Sequence, residues 1–327
     1  MRTFVTALLT AFVVAATEEG QSSASQTPFK CLARTLDAKE LQTLQTLIDD
    51  NSSSDADERS DRPRYSPLFN IRTYIHVVAE SQSEFKYFER NKVIESQLFR
   101  LNEDYKNASI SFSLVRSDGV INSEWAHGGG ERQMKQTLRK GGYDDLNIYL
   151  ISSLKRQPGA PPTANGHSSF PKDKPTEDDL LLDGCLVSAH TTIGGKTVLY
   201  GMGRTGVHEV GHWLGLQHTF HGGCTDPVGD GIADTLPQAG PTDHCPKKRP
   251  SCGRHDLGPL YNVMDYSADE CKAIITHGQI RWAHAAFRSR VKVQDAIRRQ
   301  ALQRVPLTYK QPMQVADPRR RARVQLG

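Results

Sequence analysis

The run from Arg204 to Phe220, RTGVHEVGHWLGLQHTF, limits what this chain can fold into more than any other stretch. Within it His208, Glu209, His212, Gly215 and His218 follow the spacing HExxHxxGxxH. A helix completes a turn in about 3.6 residues, so His208 and His212 share one face and can grip a single ion. Glu209, one step round, reaches a water on that ion without ligating it. Gly215 lets the backbone leave the helix sharply, which brings His218 round as a third imidazole. Three neutral nitrogens leave one tetrahedral position open, the arrangement of a catalytic zinc, whereas a structural zinc has all four positions filled by protein. At ordinary residue usage roughly one chain in tens of thousands would match all five positions by chance, which sets aside core histidines in accidental register.

Downstream, Asn262 to Tyr266 reads NVMDY, and Met264 is placed to form an apolar floor beneath the metal. A Met alone is more often core filler, but after a helix of this pattern a turn carrying Met is expected. Four of the six cysteines, Cys224, Cys245, Cys252 and Cys271, crowd around these two motifs. A loop-rich region with little core needs such staples, and spacing alone leaves three pairings open.

RTGVHEVGHWLGLQHTF, NVMDY and the four cysteines together resemble the pappalysin family of metzincin proteases, above all its secreted fungal-type extracellular metalloproteases. The likeness covers about residues 65 to 290. It implies an α/β, metzincin-like fold: an N-terminal subdomain with a twisted mixed sheet, backing helices and the active-site helix, then an irregular, disulfide-stapled C-terminal subdomain with one main helix. It also implies the interlaced pairs Cys224–Cys252 and Cys245–Cys271, and Met264 as the Met-turn. Tyr266 would be an oxyanion donor, and Glu270 would lie at the bottom of the S1′ pocket with a preference for Arg or Lys at P1′.

At 327 residues the chain can bury one full core with an appendage. The net charge of +4 is mild and carries no nucleic-acid reading. Met1 to Ala16 has Arg2, an apolar run too short to span a bilayer and small residues before a polar stretch, the layout of a secretory signal. No later stretch is apolar enough to cross a membrane, so a soluble, secreted, extracellular protein is expected, with a monomer assumed.

Residues 17–64 read as a removable prosegment and linker, the alternative being a plain disordered extension. Leu41, Leu44 and Ile48 have helical spacing behind a capping pair, Asp37 and Glu40, while Asp49 to Arg64 has no apolar period and offers Arg59, Arg62 and Arg64 for cleavage. Cys31 has two readings. A prosegment thiol of the resembled family can block the zinc, although Leu32 stands here where that family carries Gly; or Cys31 pairs with Cys185 and evens out the cysteines.

The catalytic domain is expected over 65–290, its upper part 65–215 and its lower part 216–290. Strands are predicted over Ile71–Val78, from Ile110 to Leu114, and over Leu146–Ile151. Helices are marked by Ile94, Leu98, Leu101 and Tyr105, by Glu131–Lys140 closed at Gly141, and finally by Ile280, Ala283 and Phe287. Gln157–Pro175 reads as a loop and Cys185–Thr192 as the edge strand of the cleft. DPVGDGIADT places Asp226, Asp230, Asp234 and Thr235 in a Gly-containing loop that suits calcium or a solvated acidic turn. The basic residues 291–327, with Arg298, Arg299, Arg304, Arg319, Arg320, Arg321 and Arg323, read as a solvated extension, and Asn51 and Asn107 sit in glycosylation sequons.

Zinc in such a site takes the pKa of its water from about 16 toward 7, with Glu209 as general base, so peptide bonds in protein substrates are the expected target. The alternatives are a zinc-binding or adhesive protein without activity, against which Glu209 speaks, and a hydrolase of non-peptide amides.

Overall fold

The computed structural model describes residues 30–33, 36–51, 68–155, 164–226, 228–246, 249–252, 254–257 and 261–303. The signal stretch 1–16, the arginines at 59, 62 and 64, and Arg304 with the cluster 319–323 lie outside them.

The elements run α1 (Ala38–Asn51), β1 (Phe69–Ala79), α2 (Gln82–Arg90), α3 (Val93–Tyr105), β2 (Ile110–Ile121), α4 (Glu131–Leu138), β3 (Leu146–Ile151), β4 (Gly166–Ser168), α5 (Glu177–Leu181), β5 (Cys185–Ser188), α6 (Arg204–Trp213), β6 (Arg249–Ser251), β7 (Arg254–Leu257) and α7 (His277–Gln303). Five strands form one sheet in the order β2-β1-β3-β5-β4, parallel except for β4. β6 and β7 form a separate antiparallel pair.

Parallel strands covered on both faces should be apolar throughout, and β3, LNIYLI, is buried at every position. Alternation along the strands sends side chains to two cores. Ile71, Ile75, Val77, Ile148, Leu150 and Val187 pack with α3 and α6, while Val78, Tyr149, Ile151 and Leu186 face Trp125, Met134 and Leu138. α3 buries Val93, Gln97, Leu101 and Tyr105, one residue per turn, against that first core.

Three expectations need correction. β5 is interior, paired to β3 on one side and β4 on the other, so the cleft edge is β4, not 185–192. The stretch 157–175 therefore holds a strand; Gly-His-Ser has no β-branched residue to announce it, and within the sheet it pairs with β5 alone. The final helix does not stop near 290: α7 continues to Gln303 and buries Arg290 and Gln294, so 291–303 belong to the folded body. The N-terminal helix, expected over 37–48, spans Ala38–Asn51, with Asp37 and Glu40 exchanging side-chain to backbone bonds as a capping box.

The C-terminal region after α6 is irregular and is stapled by Cys224–Cys252 and Cys245–Cys271, with Cα separations of 5.1 and 5.8 Å. Cys31 and Cys185 are free thiols and are not joined to each other.

Candidate active site

α6 is buried along its whole length from Thr205 to Trp213. Gln97 Nε2 donates to the Gly203 carbonyl at 3.1 Å and Tyr105 Oη to that of Val207 at 3.1 Å, so α3 sets its position. The helix ends at Trp213, and Gly215 takes φ +84°, a left-handed value that L side chains adopt only under strain. That turn swings His218 back over the helix.

The three imidazoles converge. His218 Nε2 lies 3.2 Å from Nε2 of His208 and 3.1 Å from Nε2 of His212. The Nδ1 atoms of His208 and His212 sit 2.8 and 2.7 Å from the carbonyls of Val263 and Leu216. A carbonyl only accepts, so Nδ1 carries the proton in both rings and the Nε2 lone pairs point inward. Burial pushes His212 down to about 3, and burial with the neighbouring rings holds His208 and His218 well below the usual histidine range. Neutral nitrogens facing one another at this range repel unless a cation lies among them. The donor set therefore fits a borderline-soft divalent metal such as zinc.

Glu209 is fully buried, and burial pushes its carboxyl up to about 8. Oε2 accepts from the Cys31 thiol at 3.4 Å, and Oε1 has no hydrogen-bond partner among the described residues. Gly166 makes room for it: a Cβ there would stand 2.2 Å from Oε1. Gly211 does the same for Met264, whose Sδ would lie 2.4 Å from a Cβ at position 211. Met264 is completely buried beneath α6, and its turn also supplies the Val263 carbonyl to His208.

Tyr266 stands edge-on to His218, with ring centroids 5.0 Å apart. Its hydroxyl donates to the Cys31 carbonyl at 3.2 Å and accepts the Cys31 N–H at 3.1 Å. The Cys31 sulfur lies within 4.8 Å of a ring nitrogen of each of the three histidines, and burial with the nearby Glu209 charge raises its pKa. On either side of it Leu32 N donates to the Gly166 carbonyl at 3.1 Å and Asn165 N to that of Lys30 at 2.8 Å, so residues 30–32 pair parallel with β4. Cys185 is buried elsewhere, 3.2 Å from Ser168 Oγ.

Glu270 is exposed, beside the Cys245–Cys271 bridge. Its neighbour Asp269 is the buried one, Oδ2 accepting from Met202 N at 2.9 Å and Arg204 N at 3.2 Å. Lys272 is buried with its amine 5.4 Å from the Tyr200 ring centroid, and burial lowers it to about 8. Gly166, Gly211, Asp269 and Lys272 carry no mark in the sequence, because their partners are distant along the chain.

The acidic loop does not gather its carboxylates into one group. Asp226 Oδ1 accepts from Val228 N; Asp230 Oδ1 accepts from Ile232 N and Thr235 Oγ1; Asp234 accepts from Thr276 Oγ1 and Gly278 N at the start of α7. Asp230 Oδ2 is buried without a hydrogen-bond partner among the described residues. Asn107 is exposed in the short turn before β2, while Asn51 is the last residue of α1.

A family model described as pregnancy-associated plasma protein-A matches residues 142–287. An extracellular metalloprotease of Pyricularia oryzae is 43% identical over 210 residues, 64% of this chain and 71% of that protein. Extracellular metalloprotease 1 of Coccidioides posadasii is 40% identical over 210 residues, again 64% of this chain, and 73% of that protein. Among solved structures, mature mirolysin of Tannerella forsythia in complex with a cleaved peptide superimposes with a TM-score of 0.55 at 24% identity, over 71% of this chain and 99% of that one, a likeness of fold. With the fold, the turn beneath the helix and the cysteine pairs in agreement, the chain belongs to the pregnancy-associated plasma protein-A family of metallopeptidases, the pappalysins.

Proposed function

We propose that this chain is a secreted zinc endopeptidase made as a zymogen, with His208, His212 and His218 as the metal ligands. The observation that carries this reading is the meeting of three imidazole Nε2 atoms beside a buried carboxylate. Zinc held there would lower the pKa of a bound water and polarise the scissile carbonyl.

The chain's own groups do the rest. Glu209 takes the proton of the attacking water and delivers it to the leaving amine. Tyr266, one ring away from His218, donates its hydroxyl proton to the developing oxyanion. β4 offers the open edge along which an extended peptide adds as a further strand. Cys31 occupies that place in the uncut chain, and removal of residues 17–64 would vacate it.

Finer readings follow from the same placement. A signal over 1–16 exports the chain, as the extracellular names of the relatives accord with. Glu270, the exposed acid beside the Cys245–Cys271 bridge, would meet a basic P1′ side chain, since Asp269 is spent on backbone amides. Asp230, with one buried oxygen unengaged, would be the anchor of a calcium site completed by Asp226, Asp234 and Thr235. Asn51 and Asn107 are the glycan acceptors.

Casein digestion by wild type, by Glu209→Ala and by wild type with a chelator tests the core of this. Digestion is expected in the first lane alone, and digestion by Glu209→Ala at the wild-type rate would refute it. A peptide library cut by Glu270→Ala should lose its preference for Arg or Lys at P1′; an unchanged profile removes Glu270 from the pocket.

A further inference from the structure

We propose that the catalytic domain carries a helix-binding groove outside its cleft, built on Gly231, Ile232 and Trp282, whose occupant is α1, so that the N-terminal segment stays bound after the chain is cut between residues 52 and 67. The inference rests on the reading of 17–64 as a prosegment and adds to it a second, separate site of attachment.

Leu36 and Leu41 are 3% and 8% exposed and belong to the main core, together with Ile232 and Trp282. Leu41 and Trp282 meet across Gly231: a Cβ at that position would lie 3.2 Å from Cη2 of Trp282 and 3.6 Å from Cδ2 of Leu41. Gly231 has φ +82°, so its lack of a side chain serves both the turn and the close approach. Gln217 Nε2 adds a bond to the Leu36 carbonyl at 3.3 Å.

Cys31 sits on β4 and on the histidines, and Leu36 bonds to Gln217 next to His218, whereas Leu41 sits farther on, against Gly231 and Trp282 of the C-terminal region. Both attachments lie on the same side of residues 52–67. Hydrolysis there adds water across one peptide bond and breaks neither. Two linked contacts hold far more tightly than either alone, because release of one leaves the other to bring it back.

Attachment at the groove is nonetheless reversible in form. A cavity of about 470 Å³ runs beside the helix, lined by Leu36, Leu41, Gln42, Asp226, Val228 and Trp282. The helix forms one wall of this open hollow, and Gln42 and Gln45 on that wall stay exposed.

The test uses the full-length chain with a site for a sequence-specific protease inserted between residues 52 and 67. After cutting, gel filtration follows the segment and a quenched fluorescent peptide follows hydrolysis. The wild-type segment is expected to co-elute with the catalytic domain and to keep hydrolysis at least tenfold below that of cut Leu41→Asp, from which it separates. Separation from wild type as fast as from Leu41→Asp overturns the proposal. Synthetic peptide 30–51 added to the stripped enzyme should inhibit at least tenfold more tightly than peptide 30–36; equal inhibition also overturns it. In cut Cys31→Ala the segment should remain bound through α1 while hydrolysis appears. If it remains bound and hydrolysis does not appear, the reading of Cys31 as the block fails and the groove stands.

Discussion

Gly166 and Tyr266 line the site beside the motif, one against Glu209 and the other edge-on to His218. Alanine at 166 would press on Oε1 of Glu209, so Gly166→Ala is expected to lower kcat at least tenfold while KM and thermal midpoint stay near wild type; a parallel rise in KM would place the effect on substrate binding instead. The proposed role of Tyr266 as an oxyanion donor predicts that Tyr266→Phe reduces kcat by roughly 10²- to 10³-fold in steady-state assays of the enzyme stripped of its N-terminal segment. The histidines and Glu209 were readable because a helix and the turn at Gly215 fix their geometry within eleven residues. Gly166 was not, since its importance comes from a carboxylate more than forty residues away that only the sheet brings near. Lys272 likewise reads as one more surface lysine until Tyr200, Asp265 and Asp269 enclose it.

Elements with their own period were legible. β1 and β3 are apolar enough to declare burial on both faces, and α3 shows its turn-by-turn stripe. β4 was not, because three residues carry no period and its existence depends on β5. α7 was cut short because its arginines read as a solvated tail, yet Arg290 and Gln294 point inward among them. The link from β5 to α6 yields a pH prediction. His190, in the turn after β5, places Nε2 3.2 Å from Glu84 Oε1 at the start of α2. Burial first, then the Lys196 charge, holds its pKa below the ordinary 6.5 despite Glu84. A depressed folded pKa contributes stability above the unfolded value, which is lost as the pH falls through the folded one. His190→Gln should therefore lose less thermal midpoint than wild type between about pH 7.5 and about pH 5, read by calorimetry on both chains.

At the scale of the molecule, one buried ion pair ties the parts together. Arg290 of α7 meets Asp183 at 3.0 Å, donates to the carbonyls of Trp213 and Tyr143, and lies between their rings. Asp183 also accepts from Trp213 Nε1 at 3.1 Å and Ser169 Oγ at 2.8 Å, so the pair joins α7, the end of α6 and the strand beside the cleft. Arg290→Ala removes the nearer of the two cations facing buried Asp183, Arg139 standing at 3.8 Å, and should cost about 3 kcal/mol in chemical unfolding, with Asp183→Asn restoring part of it in the double variant. The α/β class and the run of its longer strands and helices were legible at this scale, whereas the short elements and this knot were not: nothing local links 183 to 290. The N-terminal segment is a second such tie, fastened to β4 at one end and to α7 at the other. It bridges the edge of the sheet and the last helix like a sewn seam, and on the maturation proposed above its removal unpicks both stitches. The uncut protein should then survive heating that ruins the freed catalytic domain, a difference in thermal midpoint that calorimetry on the two forms reads.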